Sequence, residues 1–267
     1  MIHERNKNNK INVDTKSIIT KNLYTGQPFV GKRTVMKRIM AETKFARCEY
    51  HSVSEVNDPT KIIHDWLFME ERDAINVAVI NDKHELVVFE QEKYALPGTT
   101  LSIVGGFIED GETPYDSAKR EVMEELGLGS QYQQQRQQRE QRQLQSSFFS
   151  SSSSITSNLG LISTWDAEVG RIHDNDPDWI YLGKYRTSSN RGGGYLYSYL
   201  LKNAIPIKPK GGTEEYKSSG DGEPQKILFL NQEEVLVALS KSQFKEIKWT
   251  ATITLALLHL QGMPGDT

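Results

Sequence analysis

The chain has 267 residues and a mass of 30.3 kDa, enough for one large domain or two small ones. Apolar side chains make up 37% and charged ones 25%, and no apolar run approaches the roughly 20 residues of a membrane-spanning helix. The single cysteine, Cys48, excludes an intramolecular disulfide and a cysteine-based zinc site, and a net charge of −3 argues against a dominant nucleic-acid footprint.

That charge is unevenly placed. Residues 1–41 hold nine Lys/Arg against two acids, a net +7 that leaves −10 on the other 226 residues. This stretch has no apolar secretory core and no amphipathic stripe, so residues 1–44 read as a solvated basic arm and the location as cytoplasmic. The remainder, 45–262, reads as one domain.

In chain order, residues 74–80 (AINVAVI) and 85–91 (ELVVFEQ) read as strands joined by an Asn-Asp-Lys-His turn, a hairpin. The LSIV strand (101–104) follows and runs into Gly105-Gly106. Next comes a helix, with Thr113 as its cap, Pro114 at its first position and Gly127 placed to end it. Residues 131–145 (QYQQQRQQREQRQLQ) contain nine glutamines and lead into a Ser-rich run. Such a tract has little apolar surface to offset ordering, and it reads as a disordered or loosely helical insertion over about 131–157, extending toward 176. Residues 179–186 and 195–201 form a further strand pair, residues 208–224 a loop, and 226–230 (KILFL) a short strand. Helices at 232–240 and 246–261 close the chain. Mixed strands and helices make this an α/β protein.

The central helix carries the chemistry. Tyr115, Ala118, Val122 and Leu126 recur at spacings of 3, 4 and 4 and define its packing face, while Glu121, Glu124 and Glu125 lie on the opposite face. Three carboxylates within a turn repel one another, and near a helix C-terminus they also oppose the macrodipole. A hard divalent cation removes both penalties, and Mg²⁺ in particular favours a few carboxylates together with substrate phosphates.

The full pattern is Gly106, five residues, Glu112, seven residues, Arg120-Glu121-Val122, one residue, Glu124-Glu125, one residue, Gly127-Leu128. Seven specified residues at typical abundances of about 7% each match by chance at roughly 1 in 10⁸ positions. The pattern resembles the Nudix box at every position. The resemblance implies a Nudix-type α/β/α sandwich with a mixed sheet, and divalent-metal hydrolysis of a nucleoside diphosphate linked to another group. By the same resemblance Glu121 and Glu125 are the main metal ligands, Glu124 a further ligand or water-orienting group, and the Gly105 carbonyl a backbone ligand. Mg²⁺ is the expected ion, with Mn²⁺ as the alternative. The resemblance further implies that Arg120 and Glu112 hold the loop and helix in register, with Gly106 as the glycine of the box.

The flanking regions, from Phe45 to Leu260, resemble the ADP-ribose pyrophosphatase group. The group implies hydrolysis of ADP-ribose or a related nucleoside diphosphate sugar, and a homodimer with residues about 45–73 at its interface. Two features depart from the group. Lys93 stands where it often has Arg, and a proline usual some 16 residues past the box is replaced by the insertion. The resemblance implies a general base on the loop before the last strand, and the candidate is Glu223, chosen over Glu214 and Glu215 because it stands just ahead of KILFL. Lys93 and Arg191 are candidate substrate contacts, and Trp66, Tyr94 and Tyr197 candidate stacking partners for a base. NADH, dinucleoside polyphosphates and coenzyme A are the alternative substrates. A non-enzymatic nucleotide sensor or RNA-binding protein is a third reading, with neither membrane nor nucleic acid expected as a partner of the enzyme.

Overall fold

The computed structural model describes residues 29–147, 170–207 and 225–262. Residues 74–81 set the architecture, because a strand buried on both faces reads as a near-continuous apolar run whose alternate side chains serve two cores. In β4 (Ala74–Asn81), Ile75, Val77 and Val79 point to one core and Ala78 to the other. Against the first lies α1 (Pro114–Leu126), and against the second α3 (Gln232–Ser240) and α4 (Ile247–Leu260). The result is the expected α/β/α sandwich.

The sheet runs β1 (Thr34–Glu42), β2 (Ala46–Ser54), β3 (Ile62–Glu71), β10 (Gly192–Pro206), β4, β5 (Leu86–Glu92), β11 (Gln225–Leu230). Off this path, β6 (Thr99–Ser102) pairs with β5 and β7 (Val104–Phe107) with β4, while β8 (Leu128–Gly129) and β9 (Trp179–Ser188) pair with β10. The sheet is mixed because β10 runs parallel to β3 and β4 and antiparallel to β9. Among the described residues no helix is long and apolar enough to cross a membrane.

Helix α1 forms as its sequence dictates. Thr113 accepts from the Asp116 N–H at 3.1 Å, Pro114 occupies the first turn, and Gly127 adopts φ 63° while its N–H closes on Met123. Tyr115, Ala118 and Val122 are fully buried and Leu126 nearly so. Burying a side chain the size of Val122 or Leu126 stabilises the fold by about 1.5–3 kcal/mol.

Two boundaries differ from the sequence reading. Residues 34–42, assigned to the basic arm, are strand β1, paired antiparallel to β2 and tied to it by Lys37, whose ammonium lies 2.8 Å from Glu49. Residues 1–28 lie outside the described residues. Residues 131–147 form a continuous helix, α2 (Gln131–Ser147), started by a capping box. Ser130 Oγ accepts from Gln133 N–H at 3.0 Å, and Gln133 Oε1 accepts from Ser130 N–H at 2.8 Å. The Ser-rich residues 148–169 lie outside the described residues. Beyond them, Tyr199 donates to the Gly170 carbonyl and Tyr115 to Asp174, both at 2.8 Å.

Candidate active site

Strand β7 delivers Gly105-Gly106 to the N-terminal half of the site, and α1 delivers the acids. A β-carbon on Gly106 would fall 2.0 Å from Glu121 Oε1, so only glycine lets this carboxylate lie against the backbone. Arg120 organises the cluster. Its Nε and Nη2 grip Glu112 at 2.9 and 3.1 Å, while Nη1 reaches Glu121 at 2.8 Å and Glu124 at 3.1 Å. It also donates to Ser117 Oγ and to the Phe107 carbonyl, locking the loop before the helix onto the helix itself. Glu112, Arg120 and Gly106 thus lie together where the loop meets the helix.

The acids are not equivalent. Burial pushes the Glu121 carboxyl above the ordinary glutamate range; Arg120 offsets this only in part, and Glu124 and Glu112 add repulsion. Burial acts on Glu112 in the same direction, but hydrogen bonds from Arg120 and the Glu109 N–H outweigh it and hold that carboxyl low. Glu124 is exposed, and Glu125 is half-buried.

A cleft of about 300 Å³ opens beside the cluster, with Gly105, Gly106, Glu125, Gln91 and Lys93 on its wall. It joins four of the predicted residues, Gly105, Gly106, Glu125 and Lys93, to others the sequence did not single out, among them Asn76, Gln225, Glu246, Lys248 and Trp249. The α4 residues were missed because, in sequence, they belong to an ordinary amphipathic helix start. Lys248 and Glu246 form an ion pair at 2.6 Å.

Other candidates lie elsewhere. Arg191 is 5.1 Å from the Trp66 ring centroid and donates to the Leu67 carbonyl, while Trp66 Nε1 donates to Asn190; neither lines the cleft. Tyr94 stands fully exposed on the turn after β5. Tyr197 is core, 3% exposed and packed in the α1-side cluster, and so is not placed to stack a base. Glu214, Glu215 and Glu223 lie outside the described residues.

Whether the acids fit a divalent ion is decided by their chemistry. Among the described residues no three acidic, histidine or cysteine side chains already stand converged for a metal, because Arg120 holds Glu121 and Glu124. The donor set is nevertheless all hard oxygen, gathered on one helix face over a glycine cradle, with one carboxylate buried among its own kind. This set fits Mg²⁺ or Mn²⁺.

Comparison with known proteins agrees with the geometry. Residues 70–160 match the NUDIX domain family, a span that holds β4 through α1 and the whole acid cluster. The chain therefore carries a Nudix domain. With its box complete and a cleft at the acid face, this region has the residues of a Nudix pyrophosphohydrolase site. Among solved structures it resembles a crystal structure of an ADP compounds hydrolase, with a TM-score of 0.54 and 15% identity over 88% of this chain and 99% of that one. At that identity the likeness speaks for the fold alone. No curated protein matches the chain in sequence.

Proposed function

We propose that the protein hydrolyses the pyrophosphate bond of ADP-ribose or a related nucleoside diphosphate sugar, giving AMP and a sugar phosphate. The observation that carries this reading is the placement of Glu125, the Gly105-Gly106 backbone and Lys93 on one cleft beside the Arg120-ordered acid cluster. Glu121, Glu124, Glu125 and the Gly105 carbonyl would hold Mg²⁺, with Mn²⁺ as the alternative. When bound, the ion supplies neutralisation of charge on the phosphoryl oxygens.

The chain's own residues do the rest. Lys93 offers a point charge to the phosphates, a less directional contact than the forked guanidinium of an arginine. Arg120 holds Glu121 and Glu124, while Glu125 of the same helix lines the cleft. Glu223 takes a proton from the attacking water as its oxygen bonds to phosphorus and the bridging P–O bond breaks. Support for Glu223 is its position two residues before Gln225, which lines the cleft and is fixed opposite Gln91 by the β5–β11 ladder. Chromatography of the nucleotide products from ADP-ribose, NADH, a dinucleoside polyphosphate and coenzyme A, each with Mg²⁺, tests the assignment. AMP released fastest from ADP-ribose is expected, and faster turnover of any of the other three would replace the substrate.

We also propose a homodimer. Val35, Met36, Ile39, Met40, Phe45, Leu67 and Met69 are all exposed on the β1–β3 meander, and β1 ends the sheet among the described residues. This surface overlaps residues 45–73 and extends the expected interface to β1. Sedimentation at micromolar concentration should give a dimer that Ile39→Asp dissociates, and a monomeric parent protein would reject it.

A further inference from the structure

Helix α1 is held from both flanks. At 3.6 residues per turn, its buried stripe of Tyr115, Ala118, Val122 and Leu126 has Glu121 and Glu125 on one side and Asp116 and Lys119 on the other. The acid flank lies against β7, where Glu121 packs on the bare Cα of Gly106. The opposite flank meets residues 173–176, the stretch that returns to the sheet just before β9.

That second flank is closed by polar contacts. Asp174, whose side chain is 6% exposed, accepts from the Tyr115 hydroxyl at 2.8 Å and from the Lys119 ammonium at 3.2 Å. Lys119 also lies 3.0 Å from Asp116 and 4.1 Å from the centre of the Tyr115 ring. His173 packs edge-on against the same ring at 5.2 Å. The returning stretch is itself fixed from behind. Asp176 is hydrogen-bonded to Ser130, the Asp178 carbonyl accepts from the Lys202 N–H at 2.8 Å, and Asp178 Oδ1 accepts from Asn203 Nδ2 at 2.9 Å. The clamp on α1 is thus backed by strand β10.

Apolar burial fixes how deep α1 sits, but it is non-directional and resists roll about the helix axis only weakly. Hydrogen bonds are directional and oppose that roll. A helix with its side chains is about 10–12 Å across, so a roll of about 10° moves a carboxylate at its edge by about 1 Å. A misplacement of that size, caused far from the chemistry, costs about 10²-fold in rate. Asp174, Tyr115 and Lys119 do not line the cleft, so their effect on the reaction must pass through the helix.

Resting on the pyrophosphatase reading, we propose that Asp174 is a positioning residue, which through Tyr115 and Lys119 sets the roll of α1 and so the placement of Glu121 and Glu125 beside Gly105-Gly106. The chain's return to the sheet after α2 thereby belongs to the working geometry of the acid helix.

The test uses the full chain. It reads Mn²⁺ affinity by electron paramagnetic resonance without substrate, and kcat and KM for AMP release from ADP-ribose with Mg²⁺. Asp174→Ala and Tyr115→Phe should each weaken Mn²⁺ binding and lower kcat, by about tenfold or more in each, with KM within about twofold. Their combination should do no more than Asp174→Ala alone, because both cut the same link. Ser130→Ala loosens the neighbouring α2 cap without touching α1, and should leave both readings within about twofold. Tyr115→Phe keeps the buried ring and carries the test if Asp174→Ala does not fold. Unchanged Mn²⁺ affinity in the folded variants overturns the positioning role, as does an unchanged kcat, even where the parent protein cleaves ADP-ribose. Equal losses in Ser130→Ala overturn it too, since they would follow from general loosening. A parent that binds Mn²⁺ but releases no AMP removes ADP-ribose as the substrate, and the Mn²⁺ affinities of the variants then decide the role. A parent that binds no Mn²⁺ removes the metal site and this role with it.

Discussion

Helices α1 and α2 follow one another in the chain, separated by Gly127, the two residues of β8 and Ser130, and they are stabilised by opposite means. Helix α1 buries Tyr115, Ala118 and Val122 completely and spends its exposed face on acids that disfavour the helix end. Helix α2 is glutamine-rich, has little apolar surface, and is fixed mainly at its first turn, by the Ser130 capping box and by Trp179 Nε1 donating to Gln133 Oε1 at 3.4 Å. A buried stripe lets a helix carry destabilising, function-bearing charge. Without one, a helix depends on its cap and on the intrinsic propensity of its residues.

The comparison can be broken first at its strong side. Val122→Ala empties a fully buried position beneath the acid cluster and should cost about 1–3 kcal/mol, read by urea denaturation. A loss below about 0.5 kcal/mol would mean that the acid face does not depend on the buried one.

The next effect lies where α1 meets the returning chain. Burial would raise the Asp174 carboxyl, but the Tyr115 hydroxyl at 2.8 Å and the Lys119 ammonium at 3.2 Å outweigh it and hold its pKa below the ordinary aspartate range. A depressed carboxyl stabilises the fold above its unfolded pKa, and that contribution is lost as the pH falls through the lower, folded one. Asp174→Asn should therefore lower stability at pH 7 by about 1–2 kcal/mol and flatten the acid limb of the stability–pH curve. An equally steep limb in the variant would remove this link from the account.

The smallest effect belongs to α2. Ser130→Ala should cost about 1 kcal/mol through the lost cap. It should also raise hydrogen exchange in residues 131–136 while leaving α1 unchanged. Exchange rising equally in both helices would show that they are one cooperative unit.

What could be read from the sequence follows from the same physics. Helix α1, its caps, the β4–β5 hairpin and helices α3 and α4 were legible because apolar spacing and terminal residues pointed the same way. The β1–β3 meander was not, since its buried positions include Glu49, His51 and Glu70, each at most 2% exposed, which inverts the alternation that marks a strand. Those charges are tolerated because they pair: Glu49 lies 2.7 Å from His51 and 2.8 Å from Lys37. The site divides in the same way. The acids announced themselves by a spacing that stability alone would not choose. Asn76 sits unremarked inside an apolar strand, and only the folded chain places it on the cleft wall. Tyr197 could be read either way, because an aromatic in a strand has the same appearance in core and in cleft.

The most direct test of the account is the rate of AMP release from ADP-ribose with Mg²⁺ for the parent protein and for Glu121→Gln, with the thermal midpoint of each recorded. The substitution removes a charge that burial and its neighbours already disfavour, so the fold should be retained or strengthened while the rate falls by about 10²–10³. A folded Glu121→Gln protein that keeps the parent rate would contradict the claim that the acid face of α1 performs the reaction.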